Sequence, residues 1–218
     1  MSNKRMKGSI EVITGPMFAG KTTALLRNAR KANALLFAPR ADTRPKVTHD
    51  GYSYEPLMVD TANDILRYVL NIGAAPYSNH VEPRVIAIDE AQFFDENIVQ
   101  VVELLALQGH DVILAGLALD SDGLGFGPMP LLLAHATSAI YLSAKCEMCG
   151  DVATRSRRRP GADVFDPIGG EDKYFPVCPE CWFKIVKEER ERREKNENRD
   201  QSNGTQGSGN MQSQIVGK

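Results

Sequence analysis

The sequence predicts an α/β fold, a parallel sheet flanked by helices, followed by a small, loop-rich second domain. Three observations carry that expectation. Short apolar, β-branched runs alternate with amphipathic stretches as far as residue 144. A glycine-rich turn, GPMFAGKTT, joins the first strand to the first helix. After Ala144 the strand–helix rhythm gives way to two Cys-x-x-Cys pairs. A chain of 218 residues holds one sizeable core plus such an appendage. The net charge of -2 argues against a general nucleic-acid coat or a membrane-surface binder. No apolar run approaches the roughly 20 residues that span a bilayer. The opening MSNKRMKGSI lacks the apolar core of a secretory signal, so a cytoplasmic location is expected.

The elements follow in order. Residues 9–14 read as a buried strand, and the helix after it runs from Lys21 to Ala32 with Ala24, Leu25, Leu26 and Ala29 inward. ALLFA (34–38) is a second buried strand. The long polar loop PRADTRPKVTHDGYSYEP comes next, of a length that is usually functional or disordered. Asp60 or Thr61 caps a helix that continues to about Asn71. RVIAIDE (84–90) is a third strand, ENIVQVVELLALQG a helix ending at Gly109, DVILAG (111–116) a fourth strand and AIYLSA (139–144) a fifth. The expected organisation is an α/β domain over 8–144, a cysteine-bearing domain over 145–183, a charged helix over 184–200 and a disordered tail over 201–218. The charged helix pairs Glu188 with Arg192 and Glu191 with Lys195, each four apart. The tail is rich in Gly, Ser, Gln and Asn.

Gly15-Pro16-Met17-Phe18-Ala19-Gly20-Lys21-Thr22-Thr23 fits the phosphate-binding pattern G-x-x-x-x-G-K-T, with a strand before it and a helix after it. The glycines let consecutive backbone N–H groups face a phosphate. Lys21 adds a point charge, the helix N-terminus a partial one, and the Thr22 hydroxyl a ligand for Mg²⁺. The fold is therefore expected to be P-loop NTPase-like and to bind ATP. Such a loop needs a carboxylate at the end of a neighbouring strand, and Asp89 supplies it as a second Mg²⁺ group. Glu90 directly after it either orients a water or takes a proton from an acceptor hydroxyl.

Cys146-x-x-Cys149 and Cys178-x-x-Cys181 offer four soft ligands on two knuckles, suited to a structural, tetrahedral Zn²⁺. A redox pair or an iron–sulfur cluster is the competing reading. Zinc would staple a domain too poor in apolar residues to hold itself together.

GPMFAGKTT, ADTR, THDG, IDEAQFF, FGPMP, CEMC, IGGEDKY and CPEC occur in the order found in thymidine kinases of the P-loop, zinc-containing class. The chain resembles that family over roughly residues 8–183. The resemblance implies transfer of the γ-phosphate of ATP to the 5′-hydroxyl of thymidine with Mg²⁺, in nucleotide salvage for DNA synthesis. It also implies a homotetramer and feedback inhibition by dTTP. By matched position Glu90 is the general base, with Lys21 and Arg44 at the phosphates and Asp42 beside the metal. Met17, Phe93, Leu117, Phe126 and Ser156 line the thymine pocket. Phe165, Pro167, Ile168, Gly169 and Tyr174 belong to a zinc-stapled lasso that closes over the nucleoside.

The sequence departs from the family at Gly116-Leu117-Ala118-Leu119-Asp120-Ser121-Asp122-Gly123, where Gly-Leu-Asp-x-Asp-Phe-x-Gly is usual. Replacement of the aromatic ring by Ser121 removes about 1–3 kcal/mol of apolar contact from the nucleoside wall. Two other readings stand beside a thymidine kinase: a related nucleoside kinase of altered base specificity, and a nucleic-acid-dependent ATPase carrying a zinc ribbon. The second wants a basic stripe with interleaved aromatics, and RSRRR (155–159) is only a small patch.

Overall fold

The computed structural model describes residues 8–48, 51–73, 85–163 and 168–204. It groups the chain into two compact units, Met1–Cys178 and Pro179–Lys218.

The first unit is built on strands β1 (Ile10–Thr14), β2 (Leu35–Pro39), β3 (Leu57–Val59), β4 (Val85–Ile88), β5 (Asp111–Gly116) and β6 (Ser138–Tyr141). They form one sheet in the order β3-β2-β4-β5-β1-β6, and every pairing is parallel. Helices α1 (Lys21–Ala32), α2 (Ala62–Gly73), α3 (Asn97–Leu107) and α4 (Met129–His135) connect the strands. Alternation along the strands divides the core in two. Ile10, Val12, Phe37, Ile86, Ile88, Val112 and Leu114 pack with α2, α3 and α4, whereas Ile13, Ala87 and Ala115 meet Leu25 and Ala29 of α1. Helices on both faces are what near-continuous apolar strands require.

Local chemistry sets the helix ends. The Thr61 N–H and hydroxyl both donate to Asp64 Oδ2, at 2.9 and 2.8 Å, which closes the first turn of α2. At the other end of α1, Asn33 takes a left-handed conformation at φ 50°, and the following Ala34 N–H returns to the Ala29 carbonyl.

Three expectations need correction. The sheet has six strands rather than five, because Leu57–Val59 joins its outer edge beside β2. Asp89 does not end the immediate neighbour of β1: β5 lies between β4 and β1. The expected fifth strand at 139–144 stops at Tyr141, and Ala144–Lys145 belongs to a separate pair. Helix α4 had no counterpart in the sequence reading. It starts beside Pro128 and Pro130, residues tolerated in a first helical turn but easily read as loop.

Beyond β6 come two small antiparallel pairs. One joins β7 (Ala144–Lys145) to β8 (Val152–Ala153), and the other joins β9 (Arg155–Arg158) to β10 (Tyr174–Val177). The second unit consists of helix α5 (Pro179–Gly204) in its described part. This helix begins earlier than the expected 184 and continues four residues into the expected tail; residues 205–218 lie outside the described residues. Among the described residues no helix is long and apolar enough to cross a membrane.

Candidate active site

The loops after β1, β2, β4 and β5 all leave the same end of the sheet, where ligands of open parallel sheets bind. The turn after β1 is shaped by its glycines. Gly15 has φ 150°, and a Cβ there would stand 2.3 Å from the Leu142 carbonyl oxygen. Gly20 caps α1 from the left-handed region at φ 81°. Phe18 shares that conformation at φ 64° without being glycine, a local strain of the kind that gathers at functional turns.

Met17, Phe18, Gly20, Lys21, Thr22 and Thr23 line a cleft together with Arg44, Val47, Thr48, Glu90 and Leu117. Gly15, Pro16 and Ala19 shape the turn without lining it. Lys21 Nζ donates to the Pro16 carbonyl at 2.7 Å. Desolvation lowers this ammonium from 10.5 to about 8, against the opposing pull of Glu90 and Asp89.

Asp89 is 1% exposed and lies in reach of α1 despite the intervening strand. Thr22 Oγ1 is 3.3 and 3.1 Å from its two oxygens. Burial, then the charge of Glu90, raises Asp89 to about 6. Its Oδ2 also accepts the Tyr54 hydroxyl at 2.7 Å. Burial and three neighbouring carboxylates hold that phenol protonated far above its usual range. Paired oxygens from a threonine and a carboxylate beside a phosphate loop are a hard donor set that fits Mg²⁺.

Glu90 stands in the left-handed region at φ 52°. Its Oε2 accepts from Arg44 Nη2 at 2.9 Å and from Gln92 Nε2 at 2.6 Å. Arg44 in turn binds Asp42 through Nε at 2.7 Å and Nη2 at 3.1 Å, and Lys46 Nζ reaches Asp42 Oδ2 at 2.5 Å. Asp42 is 3% exposed. Burial pushes its carboxyl upward, but these two cations overcome the effect and leave it below the ordinary range.

A second pocket opens beside the first. Met17, Phe93, Leu117, Phe126, Ser156, Gly169 and Tyr174, all assigned to nucleoside binding in the sequence reading, are among the residues that line it. Phe93 and Phe126 meet edge to face at 5.6 Å. Ser156 accepts the Met17 N–H at 2.9 Å, tying β9 to the phosphate loop. Ile168 is not on this wall; its carbonyl accepts Lys173 Nζ at 2.7 Å. Phe165 and Pro167 lie outside the described residues. The sequence reading had not assigned Gln92, Leu119, Asp120 and Arg158 to the wall. Ser121 lines it too, at the position of the missing ring. Arg157, 7% exposed, holds that stretch by donating to the Ser121 carbonyl and to Asp122 Oδ1, both at 2.8 Å.

The sulfur atoms of Cys146, Cys149, Cys178 and Cys181 all lie within 4.8 Å of one another, and none forms a disulfide. Cys149 and Cys178 sulfurs are 3.7 Å apart. Four thiolates bound at about 2.3 Å around a tetrahedral zinc stand about 3.8 Å from each other, so the cluster is compatible with Zn²⁺. Burial opposes ionisation of Cys146, but backbone N–H groups of Cys178, Cys149 and Met148 bring its thiol down to about 6.

The family model for thymidine kinase matches residues 8–182. A thymidine kinase of Bacteroides fragilis is 37% identical over 197 residues, covering 86% of this chain and 94% of its own. One from Bacteroides thetaiotaomicron is 38% identical over 189 residues, covering 83% and 89%. Among solved structures, the Legionella pneumophila ATPase DotB aligns over 62% of this chain and 36% of its own, with 15% identity and a TM-score of 0.36.

Proposed function

The chain belongs to the thymidine kinase family, and from that premise we propose that it phosphorylates the 5′-hydroxyl of thymidine with ATP. The observation that carries this reading is the junction of two pockets. Met17, Arg44 and Leu117 are walls of both the phosphate-loop cleft and the aromatic-lined pocket. A flat base among Phe93, Phe126 and Tyr174 brings its sugar to that shared wall, where Glu90 stands. Both bonds described for Glu90 fall on Oε2, so Oε1 is open to take the proton of the attacking alcohol.

Phosphoryl transfer is mostly positioning and charge stabilisation. The backbone from Gly15 to Thr23 cradles the phosphates, with the Lys21 ammonium and Arg44 beside them. Thr22 and Asp89 would hold Mg²⁺, with Asp42 as a further carboxylate nearby; the ion neutralises charge on the transferring group. The four cysteines would hold zinc and brace residues 145–183 as a domain, so that its lasso, including Ile168, Gly169 and Tyr174, covers the nucleoside and keeps out water. Phe165 and Pro167 are assigned to the same lasso.

The remaining assignments belong to the same proposal: a cytoplasmic homotetramer in nucleotide salvage, inhibited by dTTP, engaging neither nucleic acid nor membrane. Exposed Ile140 and Tyr141 on edge strand β6, with Leu104 and Leu107 on α3, are surfaces suited to subunit packing.

The test is a panel of nucleosides with γ-labelled ATP, covering thymidine, deoxyuridine, deoxycytidine and 5-substituted pyrimidines. Thymidine is expected to be labelled, and Glu90→Gln to lose about 10²–10⁴-fold in turnover while still binding ATP. ATP hydrolysis that needs a polynucleotide, with no nucleoside labelled, would overturn the reading.

A further inference from the structure

Tyr54 belongs to the long polar loop between β2 and β3, yet its hydroxyl reaches Asp89, 35 residues away in sequence. Its backbone is fixed by a short antiparallel turn. The Tyr54 N–H donates to the Lys46 carbonyl at 3.0 Å, and Val47 bridges Ser53. The same turn sends the Lys46 ammonium to Asp42. The loop is thus pinned at two carboxylates, one in the ion-pair cluster and one beside Thr22.

A carboxylate offers about four acceptor positions. The Glu90 N–H takes one on Asp89 Oδ1 at 3.0 Å, Thr22 lies between the two oxygens, and Tyr54 takes one on Oδ2. Asp89 is 1% exposed, so water cannot readily replace a lost donor. With these three donors in place the carboxylate has one orientation, and about one of its acceptor positions is left for a cation. We infer that Tyr54 is a positioning residue for the divalent cation: its hydroxyl fixes the Asp89 carboxylate in the orientation that serves the metal. This rests on the reading of Thr22 and Asp89 as the metal-holding pair, and does not depend on which nucleoside is the acceptor.

Groups that orient a metal's carboxylate typically change affinity by about 10–100-fold when removed. Mn²⁺ is the probe, titrated into full-length protein saturated with a non-hydrolysable ATP analogue, with free Mn²⁺ read by electron paramagnetic resonance. Tyr54→Phe keeps the ring and its packing, and is expected to weaken Mn²⁺ binding at least about tenfold. Analogue binding in EDTA should stay within about twofold, since the phosphate loop is untouched. Replacing Tyr54 by 4-aminophenylalanine restores a donor at the same reach and is expected to recover most of the lost affinity. Unchanged Mn²⁺ affinity in Tyr54→Phe, tighter Mn²⁺ binding, an equal loss of analogue binding without metal, or no recovery with the amino variant would each overturn the inference. A protein that shows this Mn²⁺ behaviour but labels no nucleoside would retain the role of Tyr54 and lose the kinase reading.

Discussion

Lys21 titrates near 8 because its surroundings strip water from the ammonium, and that value sets the pH at which this side chain loses its charge in the absence of nucleotide. Below 8 the side chain is charged whether or not nucleotide is bound. Above 8 the free protein carries neutral Lys21, and a triphosphate must draw in a proton to recover the ammonium. Nucleotide affinity is therefore expected to fall as pH rises through 8, by up to about tenfold per pH unit until the bound ammonium itself titrates. Calorimetry at pH 9 in two buffers of different ionisation enthalpy should read uptake of close to one proton. Lys21→Arg, which stays charged, should remove both the uptake and the slope. The position of Lys21 was legible in sequence, since G-x-x-x-x-G-K-T has a fixed spacing and a mechanism. Tyr54, Lys46 and Gln92 were not. Lys46 and Gln92 act on carboxylates only four and two residues away, in short irregular segments with no period to read, and a tyrosine in a polar loop carries no spacing signal that points to an aspartate 35 residues on.

The connection from β5 to α4 carries Ala118 and Ser121, where the sequence departs from the family pattern, and the structure shows what holds it. Arg157 of β9 donates twice into it, at the Ser121 carbonyl and at Asp122 Oδ1. Asp120 Oδ1 accepts the Asp122 and Leu124 N–H groups, both at 2.9 Å. Asp122 thus meets an arginine from β9. Arg157→Met keeps the apolar stem and removes both charge-assisted bonds, the one to the Ser121 carbonyl worth about 1.5–3 kcal/mol and the one to the largely exposed Asp122 less. The expected result is a thymidine KM raised at least about tenfold, with ATP affinity unchanged, measured by steady-state kinetics and nucleotide titration. Equal losses for both substrates would mean that Arg157 supports the domain generally rather than this wall. Strand β3 and helix α4, on either side of the loops that build the site, escaped the sequence reading for local reasons. Three residues after Pro56 are too few for a period to register, and the prolines before and inside α4 resemble loop punctuation.

Across the first unit, the broad layout was readable because apolar runs and helical periods alternate so regularly, while the strand order was not. Nothing in RVIAIDE says that β5 intervenes between it and β1, because order within a sheet is set by crossovers rather than by local pattern. The cysteines were readable for the opposite reason: their chemistry is local and their spacing explicit. Their consequence is felt in the nucleoside pocket. Ser156 and Tyr174 stand on β9 and β10, which lie between the two knuckles in sequence, and these strands pair over only four residues each. A ribbon that short is marginal by itself, so a metal at the knuckles would supply what the core does not. The phosphate cleft stands on β1 and α1, whose packing against the large sheet needs no metal. Stripping zinc with a strong chelator should therefore separate the two functions of the site. One zinc per chain is expected by metal assay of the purified protein. After its removal, thymidine KM should rise at least about tenfold. ATP-analogue binding should change by no more than about threefold, the bond from the Met17 N–H to Ser156 being a neutral one of modest worth. Protein purified without zinc and with full thymidine affinity would break the argument that the knuckles hold the nucleoside wall.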